Sequence, residues 1–289
     1  MNKINVEDIK TAVKWINEAE AIWCGAGSGL TSDAGPAFNY GNKEYFAQHY
    51  PGLVKQGFSR KIELMGEMNL PPEVFWGYYA QNVNEVRFSP NVHEVYTKLL
   101  HIVNTKEDYF IITTNVDRLF TRNGFLADKI YTPQGDYGQM QCMIPCREET
   151  WDSKPIVEKI ITNTDHTTQR TTTESVPKCI FCGGGAFLNV RGADWFVHKP
   201  YEKQAAAYQQ WLKHALSKKL LVLDIGSGFN TPVWVRYPAE QITYQNKNAN
   251  LIRINPEHPQ ISHEIQDRSI SFAHGALEVI ERIWKEIGD

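Results

Sequence analysis

The sequence lacks a strong excess of charge of either sign. Its 289 residues include 30 lysines and arginines and 33 aspartates and glutamates, which give a formal net charge of −3 at pH 7. A protein whose main partner is nucleic acid typically has a strongly basic surface that neutralises phosphates. The charge balance therefore argues against nucleic acid as the main partner.

Long apolar runs are also missing. No segment approaches the roughly 18 apolar residues that a membrane-spanning helix needs, and the N-terminal MNKINVEDIK contains no apolar core of a signal peptide. We therefore expect a soluble, cytoplasmic protein with no membrane partner. The length suits one large α/β domain, or a core domain that carries a smaller inserted module.

Cysteine is scarce and unevenly distributed. Of five cysteines, Cys142 and Cys146 form one close pair and Cys179 and Cys182 another, with 32 residues between the pairs. Two pairs of thiolates suit a tetrahedral structural Zn²⁺ better than a disulfide framework. The alternative is four buried thiols without metal. A catalytic zinc is disfavoured because four thiolates leave no position for water. Cys24 is interpreted as a core residue.

Short apolar runs that end in polar or glycine-containing turns predict a parallel sheet. They occupy residues 21–24, 109–112, 220–223 and 251–254. In an open α/β sheet, the carboxyl ends of such strands form the ligand crevice. Helical spacing of apolar residues predicts an amphipathic helix over 6–19, with Asn5 as its N-cap, and a last helix over 275–287.

Two stretches fit the sheet pattern poorly, one rich in aromatic residues and one that holds the cysteine pairs. The threonine-rich run 162–173 in the second stretch is predicted to be an exposed ribbon or loop, and its composition also suits disorder. The predicted fold class is α/β: a Rossmann-like parallel sheet with helices on both faces, plus a smaller inserted helical and zinc-ribbon module. The sheet domain is assigned to residues 1–40, 106–135 and 191–289, and the module to 41–105 and 136–190.

The most informative motif is Gly25-Ala26-Gly27-Ser28-Gly29, directly after the first predicted strand. Glycines at this position let backbone N–H groups approach a pyrophosphate, which a following helix N-terminus also favours. The spacing differs from GxGxxG, and similar turns occur in loops that bind nothing. The turn indicates a dinucleotide site only together with further residues that could bind a dinucleotide.

Such residues follow along the chain, and their types and order resemble the motifs of the sirtuin family. The resemblance covers residues 20–289 and depends on the joint occurrence of its motifs. They are GAGSG at 25–29, TTNVDRLF at 113–120, TPQG at 132–135, the cysteine pairs in CMIPC and CIFC, GSGFN at 226–230 and INPEH at 254–258.

The resemblance implies that NAD binds in a crevice between the Rossmann-like domain and a small zinc module. Gly25, Ala26, Gly27 and Ser28 would approach the pyrophosphate, Asn115 the nicotinamide ribose and Asp117 the carboxamide. Gly226 and Ser227 would line the phosphate and ribose region, and Asn255 would meet the adenosine ribose. The structural alternatives are a cap of the strand end for Asn115 and a helix N-cap for Asp117.

The departures from the family pattern concern the catalytic base and the peptide groove. Sirtuin deacylases carry a histidine where this chain has Gln134, and a glutamine amide cannot take a proton near neutral pH. The PDFR loop of the family reads Pro36-Ala37-Phe38-Asn39, and the peptide-binding strand reads Asp194-Trp195-Phe196-Val197-His198. Efficient deacylation is therefore not expected. For Arg118 and Arg191 two interpretations stay open. Their side chains could contact phosphate or an acidic acceptor, or they could be solvated at the surface.

This combination resembles the macrodomain-linked microbial sirtuins, called class M, in which protein ADP-ribosylation replaces deacylation. The resemblance implies an NAD-dependent protein ADP-ribosyltransferase in which Asn115 and Gln134 position the reactive ribose. It also implies a lipoylated carrier protein, like glycine-cleavage H protein, as acceptor and a macrodomain hydrolase that reverses the mark. The alternatives are an NAD-dependent lysine deacylase and a catalytically silent NAD or ADP-ribose sensor.

Overall fold

The computed structural model describes residues 3–67, 69–192 and 194–288. The predicted domain limits at residues 1 and 289 lie outside this part of the chain. Its strands are β1 (Ala21–Ala26), β2 (Tyr109–Thr113), β3 (Ile130–Tyr131), β4 (Gly135–Cys142), β5 (Trp151–Asp152), β6 (Ala186–Val190), β7 (Leu220–Ile225), β8 (Asn250–Ile254) and β9 (Ser269–Phe272).

Helices connect and flank these strands. The α-helices are α1 (Val6–Glu18), α2 (Ser28–Ser32), α3 (Lys43–His49), α4 (Pro51–Val54), α5 (Pro72–Val83), α6 (Glu94–Val103), α7 (Leu119–Arg122), α8 (Lys154–Thr162), α9 (Glu202–Ala215), α10 (Arg236–Gln245) and α11 (Ala276–Gly288). Short 3-10 turns cover Pro36–Phe38, Lys61–Leu64, Ala127–Lys129, Thr173–Ser175, Lys199–Tyr201 and His263–Arg268, and a π-helical turn covers Asn84–Phe88.

The larger sheet is parallel throughout its described strands, in the order β3-β2-β1-β7-β8-β9. Each predicted apolar run forms one of its strands, so the predicted parallel sheet is confirmed. The runs are short and almost continuously apolar because both faces of a parallel sheet are covered. Every residue of β1, β2 and β7 is buried.

Local sequence signals account for the first and last helices. α1 begins at Val6 because the side chain of Asn5 accepts a hydrogen bond from the backbone N–H of Glu7 at 3.0 Å. Its buried residues Ile9, Ala12 and Ile16 recur at helical spacing. Both helix predictions are confirmed within one residue at each end.

The chain divides into two compact units. The sheet unit comprises Met1–Ala34, Val92–Gln134 and Tyr201–Asp289, and the small unit comprises Gly35–Asn91 and Gly135–Pro200. The predicted boundaries placed residues 92–105 in the small module, whereas α6 belongs to the sheet unit and packs against α11. Helical periodicity shows that α6 has an apolar face, but not which distant helix covers it.

The small unit contains an antiparallel sheet of order β5-β4-β6. Its core joins α5 and α8 to this sheet through Trp76, Met140, Ile160 and Leu188. Together with the parallel sheet and its helices, this unit confirms the predicted α/β class with a smaller inserted module. Among the described helices, none has both the length and the apolar character that a bilayer span requires.

The threonine-rich run is largely exposed, as predicted, but two of its residues, Gln169 and Thr171, are buried. Asp165 and Arg170 pair as an antiparallel bridge, and the side chain of Gln169 is fully buried. The Gln169 amide donates to the carbonyl oxygen of Gly77 at 3.1 Å and to Oε1 of Gln81 at 2.9 Å. Composition cannot reveal this burial, because it depends on the approach of this turn to a helix far away in sequence.

Gly77 makes that approach possible. A Cβ atom at Gly77 would overlap the backbone carbonyl of Gln169. We expect Gly77→Ala to lower the free energy of unfolding by about 1–3 kcal/mol, as overpacking does in well-packed sites. Gly41→Ala is the matched control because Gly41 is exposed and the added Cβ would lie 3.4 Å from Oδ1 of Asn39, an ordinary van der Waals contact. Urea unfolding of both variants tests this, and equal stability would contradict the close approach.

Candidate functional site

The predicted dinucleotide residues of the sheet unit follow the carboxyl ends of adjacent strands. Gly27 and Ser28 follow β1, Asn115 follows β2, Gly226 and Ser227 follow β7, and Asn255 follows β8. Because these strands are parallel neighbours, their ends meet at one edge of the sheet. Gly25 and Ala26 instead lie within β1, and a Cβ at Gly25 would meet the side chains of Trp23 and Val235.

The glycine turn and the end of β7 touch through backbone atoms. A Cβ at Gly27 would lie 2.6 Å from the carbonyl oxygen of Gly226, and a Cβ at Gly29 would lie 2.6 Å from its Cα. Gly226 has a φ of +67°, and its own Cβ would overlap the backbone of Leu30 and Gly29. Glycine is thus required sterically at all three positions.

Hydrogen bonds centred on Thr31 join Asn115 and Asp117 to this turn. The Asn115 amide donates to the carbonyl oxygen of Gly27 at 3.0 Å and to Oγ1 of Thr31 at 2.7 Å. The Thr31 hydroxyl donates to Oδ2 of Asp117 at 3.0 Å. Since that hydroxyl has one hydrogen, the Tyr96 hydroxyl at 3.0 Å must donate to Thr31. Burial and the nearby Asp117 carboxylate raise the pKa of Tyr96, which keeps it a donor.

Asn115 and Asp117 also make local contacts within the protein. Oδ1 of Asp117 accepts a hydrogen bond from the backbone N–H of Leu119 at 2.8 Å at the start of α7, although the N-cap residue of that helix is Arg118. Asn115 ties the end of β2 to the turn after β1. Both residues are buried, and the partners described here all belong to the protein. Their contacts with NAD therefore stay predictions.

The residue between Asp117 and α7 has an unusual backbone. Arg118 has a φ of +60°, in the left-handed region that non-glycine residues rarely adopt. Such backbone strain persists where surrounding contacts fix the chain. Here the preceding residue, Asp117, is fixed by its hydrogen bonds with Thr31 and Leu119. Arg191 lies over the Phe196 ring, with Cζ 4.4 Å from the ring centroid, and contacts of either arginine with phosphate or an acceptor stay predictions.

Asn255 organises the loops that follow β7 and β8. Its amide donates to the carbonyl oxygen of Ser227 at 2.7 Å, and its Oδ1 accepts from the N–H groups of Glu257 and His258 at 3.0 and 2.9 Å. The loop at Ser227 thus lies between the glycine turn and the segment that begins at Asn255.

Gln134 ends the sheet unit, three residues after β3, and its side chain is 8% exposed. A buried amide is a neutral hydrogen-bonding group, and it cannot act as a general base. That Gln134 acts beside Asn115 stays a prediction.

Sequence reasoning missed Thr31 and Tyr96. The signal for Thr31 was its position four residues after Gly27 on the short helix α2. Tyr96 lies on α6 and has no local signal, because only the tertiary structure brings its hydroxyl to Thr31.

The four clustered cysteines of the small unit fit a tetrahedral metal site. Their Sγ atoms all lie within 4.8 Å of one another, and the Cys142–Cys182 and Cys146–Cys179 distances are both 3.7 Å. Zinc–sulfur bonds of 2.3 Å in a tetrahedron place sulfur atoms about 3.8 Å apart. The cluster could therefore hold one structural zinc ion. Cys24 is separate and buried in β1, and burial raises the pKa of its thiol.

Known structures of similar fold identify the architecture. No protein-family model matches the sequence. A structure described under "Structural Basis for the Mechanism and Regulation of Sir2 Enzymes" superposes with a TM-score of 0.59 over 98% of each chain, at 18% identity. A Sir2 homologue in complex with NAD gives a TM-score of 0.62 over 99% of this chain and 95% of that chain, at 16% identity. The chain has the sirtuin fold.

Curated relatives of this sirtuin-fold chain have two kinds of name. A "Probable bifunctional ADP-ribose hydrolase/ADP-ribosyltransferase" of Fusarium oxysporum f. sp. cubense is 31% identical over 91% of the chain, which spans only 45% of that relative. A "Protein ADP-ribosyltransferase" of Staphylococcus aureus is 27% identical over 91% of the chain and 82% of the relative. An "NAD-dependent protein deacylase" of Leptospira interrogans is 26% identical over 91% of the chain and 92% of the relative.

The Thr31 hydroxyl offers a direct test of the hydrogen-bond network. We expect Thr31→Val to weaken NAD binding about tenfold, because it leaves buried groups of Asn115 and Asp117 without their partner. Thr31→Ser keeps the hydroxyl and should retain the affinity. Calorimetric titration with NAD measures both, with thermal unfolding as the folding control. Equal affinity of the valine variant would contradict a role of the network in NAD binding.

Metal analysis tests the cysteine cluster. We expect about one zinc ion per chain in the purified protein and its loss in Cys142→Ser. Cys24→Ala is the control and should keep the metal, because Cys24 lies in β1 of the other unit. A wild-type protein without zinc after expression in zinc-supplemented medium would favour the metal-free alternative.

Proposed function

We propose that the chain is an NAD-dependent protein ADP-ribosyltransferase. The observation that carries the proposal is Gln134, a buried amide at the position where sirtuin deacylases have a histidine base. Both reactions require departure of nicotinamide, but deacylation also requires that base to take a proton. The names of the Fusarium and Staphylococcus relatives support transferase activity.

In the proposed reaction, the bond between the nicotinamide nitrogen and the ribose C1 atom breaks and its electron pair leaves with nicotinamide. A nucleophile of the acceptor protein then bonds to C1, and any proton that it carries is released to solvent. Positive charge develops on the ribose, so a site that holds the sugar rigidly and excludes water directs it to the acceptor. The sheet unit is proposed to bind NAD through its strand ends.

The hydrogen bonds of Asn115 define how it would act. Both hydrogens of its amide are donated, one to Gly27 and one to Thr31. Its Oδ1 is therefore the atom available to accept a bond from a ribose hydroxyl. Gln134 would fix a second hydroxyl, and the four cysteines would hold a structural zinc ion that takes no part in the reaction.

The acceptor is proposed to be a protein. Solved structures of the same fold include complexes with a myristoylated histone peptide and a propionylated peptide. We further propose a lipoylated carrier protein as acceptor and a macrodomain hydrolase that removes the mark. The Fusarium relative, whose name combines hydrolase and transferase, supports such a pairing.

Labelled NAD tests the transfer. With a lipoylated carrier protein, we expect label on the acceptor and release of nicotinamide, both lost in Asn115→Ala because the ribose loses its acceptor atom. Gln245→Ala, an exposed residue at the end of α10, should remain active. Release of free ADP-ribose alone would indicate NAD hydrolysis, and tight NAD binding without nicotinamide release would indicate a sensor.

Gln134→His separates transfer from deacylation, the activity for which the Leptospira relative is named. If the missing base were the sole obstacle, this variant would remove acyl groups from lysine peptides. We expect it not to do so, because the peptide-groove sequence also departs from the deacylase pattern. Acyl release from lysine peptides by the wild-type chain would overturn the proposed function.

A further inference from the structure

A side chain of α9 holds the segment that leads from β3 to Gln134. Oε1 of Gln204 accepts a hydrogen bond from the backbone N–H of Thr132 at 2.9 Å and another from the Thr132 hydroxyl at 3.1 Å. The amide oxygen has two lone pairs, so one atom can serve both donors. The two residues lie 72 positions apart in the sequence. Thr132 is therefore fixed by a distant helix.

The face of α9 that carries Gln204 is itself anchored to the sheet. Tyr208 lies four residues after Gln204, and residues at this spacing share one face of a helix. The Tyr208 hydroxyl accepts from Nε1 of Trp23 in β1 at 2.9 Å, and the Tyr208 and Tyr131 ring centroids lie 5.8 Å apart. Trp23 is fully buried. Gln204 thus projects from a helix that is fixed against β1 and β3.

The link from Thr132 to Gln134 is short and stiff. Pro133 is the one residue between them, and its ring fixes the backbone φ at about −65°. Proline also has no backbone N–H, so Thr132 is the nearest residue before Gln134 whose backbone can donate a hydrogen bond. A shift of Thr132 is therefore passed on to Gln134 across a single restricted residue.

We propose that Gln204 is a positioning residue for Gln134. The proposal deepens the proposed function and rests on it, because it takes the Gln134 amide as the group that fixes a hydroxyl of the reactive ribose. Gln204 holds Thr132, and through Pro133 this contact sets the place of the Gln134 amide. Accurate placement matters because a displacement of about 1 Å can lower a reaction rate about a hundredfold.

Variants that differ in the acceptor oxygen provide the test. With NAD and the lipoylated carrier protein, we expect Gln204→Leu to lower kcat for nicotinamide release about tenfold. KM for NAD should change little, because the other residues proposed to hold NAD are untouched. Gln204→Glu keeps an oxygen that can accept both bonds and should retain most of the rate. Gln209→Leu is the matched control, since Gln209 is an exposed glutamine of the same helix.

A double-mutant cycle separates positioning from a general structural effect. If Gln204 acts through Gln134, Gln204→Leu lowers kcat in the wild-type background and has no further effect in the Gln134→Ala background. Thermal unfolding of each variant shows that it is folded. A fall of the same size in both backgrounds would overturn the positioning role, and so would a rise in KM without a fall in kcat.

Thr132→Val is a second variant that keeps the proposal testable if Gln204→Leu does not fold. It removes the hydroxyl donor but keeps the backbone N–H and the shape of the side chain. Because one of two hydrogen bonds is lost, we expect kcat to fall about threefold. An unchanged kcat in the folded Thr132→Val protein would contradict the proposal.

The possible failures are distinguishable. If the wild-type chain releases no nicotinamide, both the proposed function and the positioning role are overturned. If it does release nicotinamide and Gln204→Leu is equally fast, only the positioning role is overturned. Hydrogen exchange of the Thr132 amide is a readout that needs no activity. We expect faster exchange in Gln204→Leu than in Gln204→Glu, and equal exchange would show that Gln204 does not anchor Thr132.

Discussion

The candidate site depends on one backbone contact, between the glycine turn after β1 and Gly226 after β7. At this point the two strand ends approach so closely that a side chain at Gly27, Gly29 or Gly226 would overlap backbone atoms. The contact leaves backbone groups accessible to polar side chains from neighbouring strand ends. Asn115 bonds to the carbonyl of Gly27, and Asn255 bonds to the carbonyl of Ser227. Two asparagines of the proposed NAD site are thus arranged about one glycine contact.

Beneath this edge, the sheet unit contains a fully buried ion pair. Nε of Arg253 donates to Oδ2 of Asp224 at 2.8 Å across the β7–β8 pair, and both side chains are completely buried. Burial raises the pKa of Asp224, while the Arg253 charge opposes that rise. Buried pairs of this kind are costly to desolvate. Here the pair occupies the two strands whose ends carry Ser227 and Asn255, so it lies directly below the loops that would receive the adenosine half of NAD.

Neutral hydrogen-bonding groups dominate the proposed catalytic residues. Asn115 and Gln134 are buried amides, Thr31 contributes an alcohol, and burial raises the pKa of the Tyr96 hydroxyl. Such a set can hold a ribose in a fixed orientation, but it does not move a proton. Transfer of ADP-ribose requires orientation and water exclusion, whereas deacylation adds a proton-transfer step. The glutamine at position 134, in place of the histidine of sirtuin deacylases, is therefore the main reason to propose ADP-ribose transfer over deacylation.

The sequence by itself determined the positions of four strands of the parallel sheet (β1, β2, β7 and β8), the Asn5 cap, the two cysteine pairs and the absence of a base at Gln134. These features depend on residue type and on spacing within a few positions, where local physics decides the outcome. The tertiary structure decided that α6 packs on α11, that Gln169 is buried against Gly77, and that Tyr96 reaches Thr31. It also decided that Gln204 reaches Thr132. Each of these depends on which distant element covers an apolar or polar face, and periodicity reveals the face but not its partner.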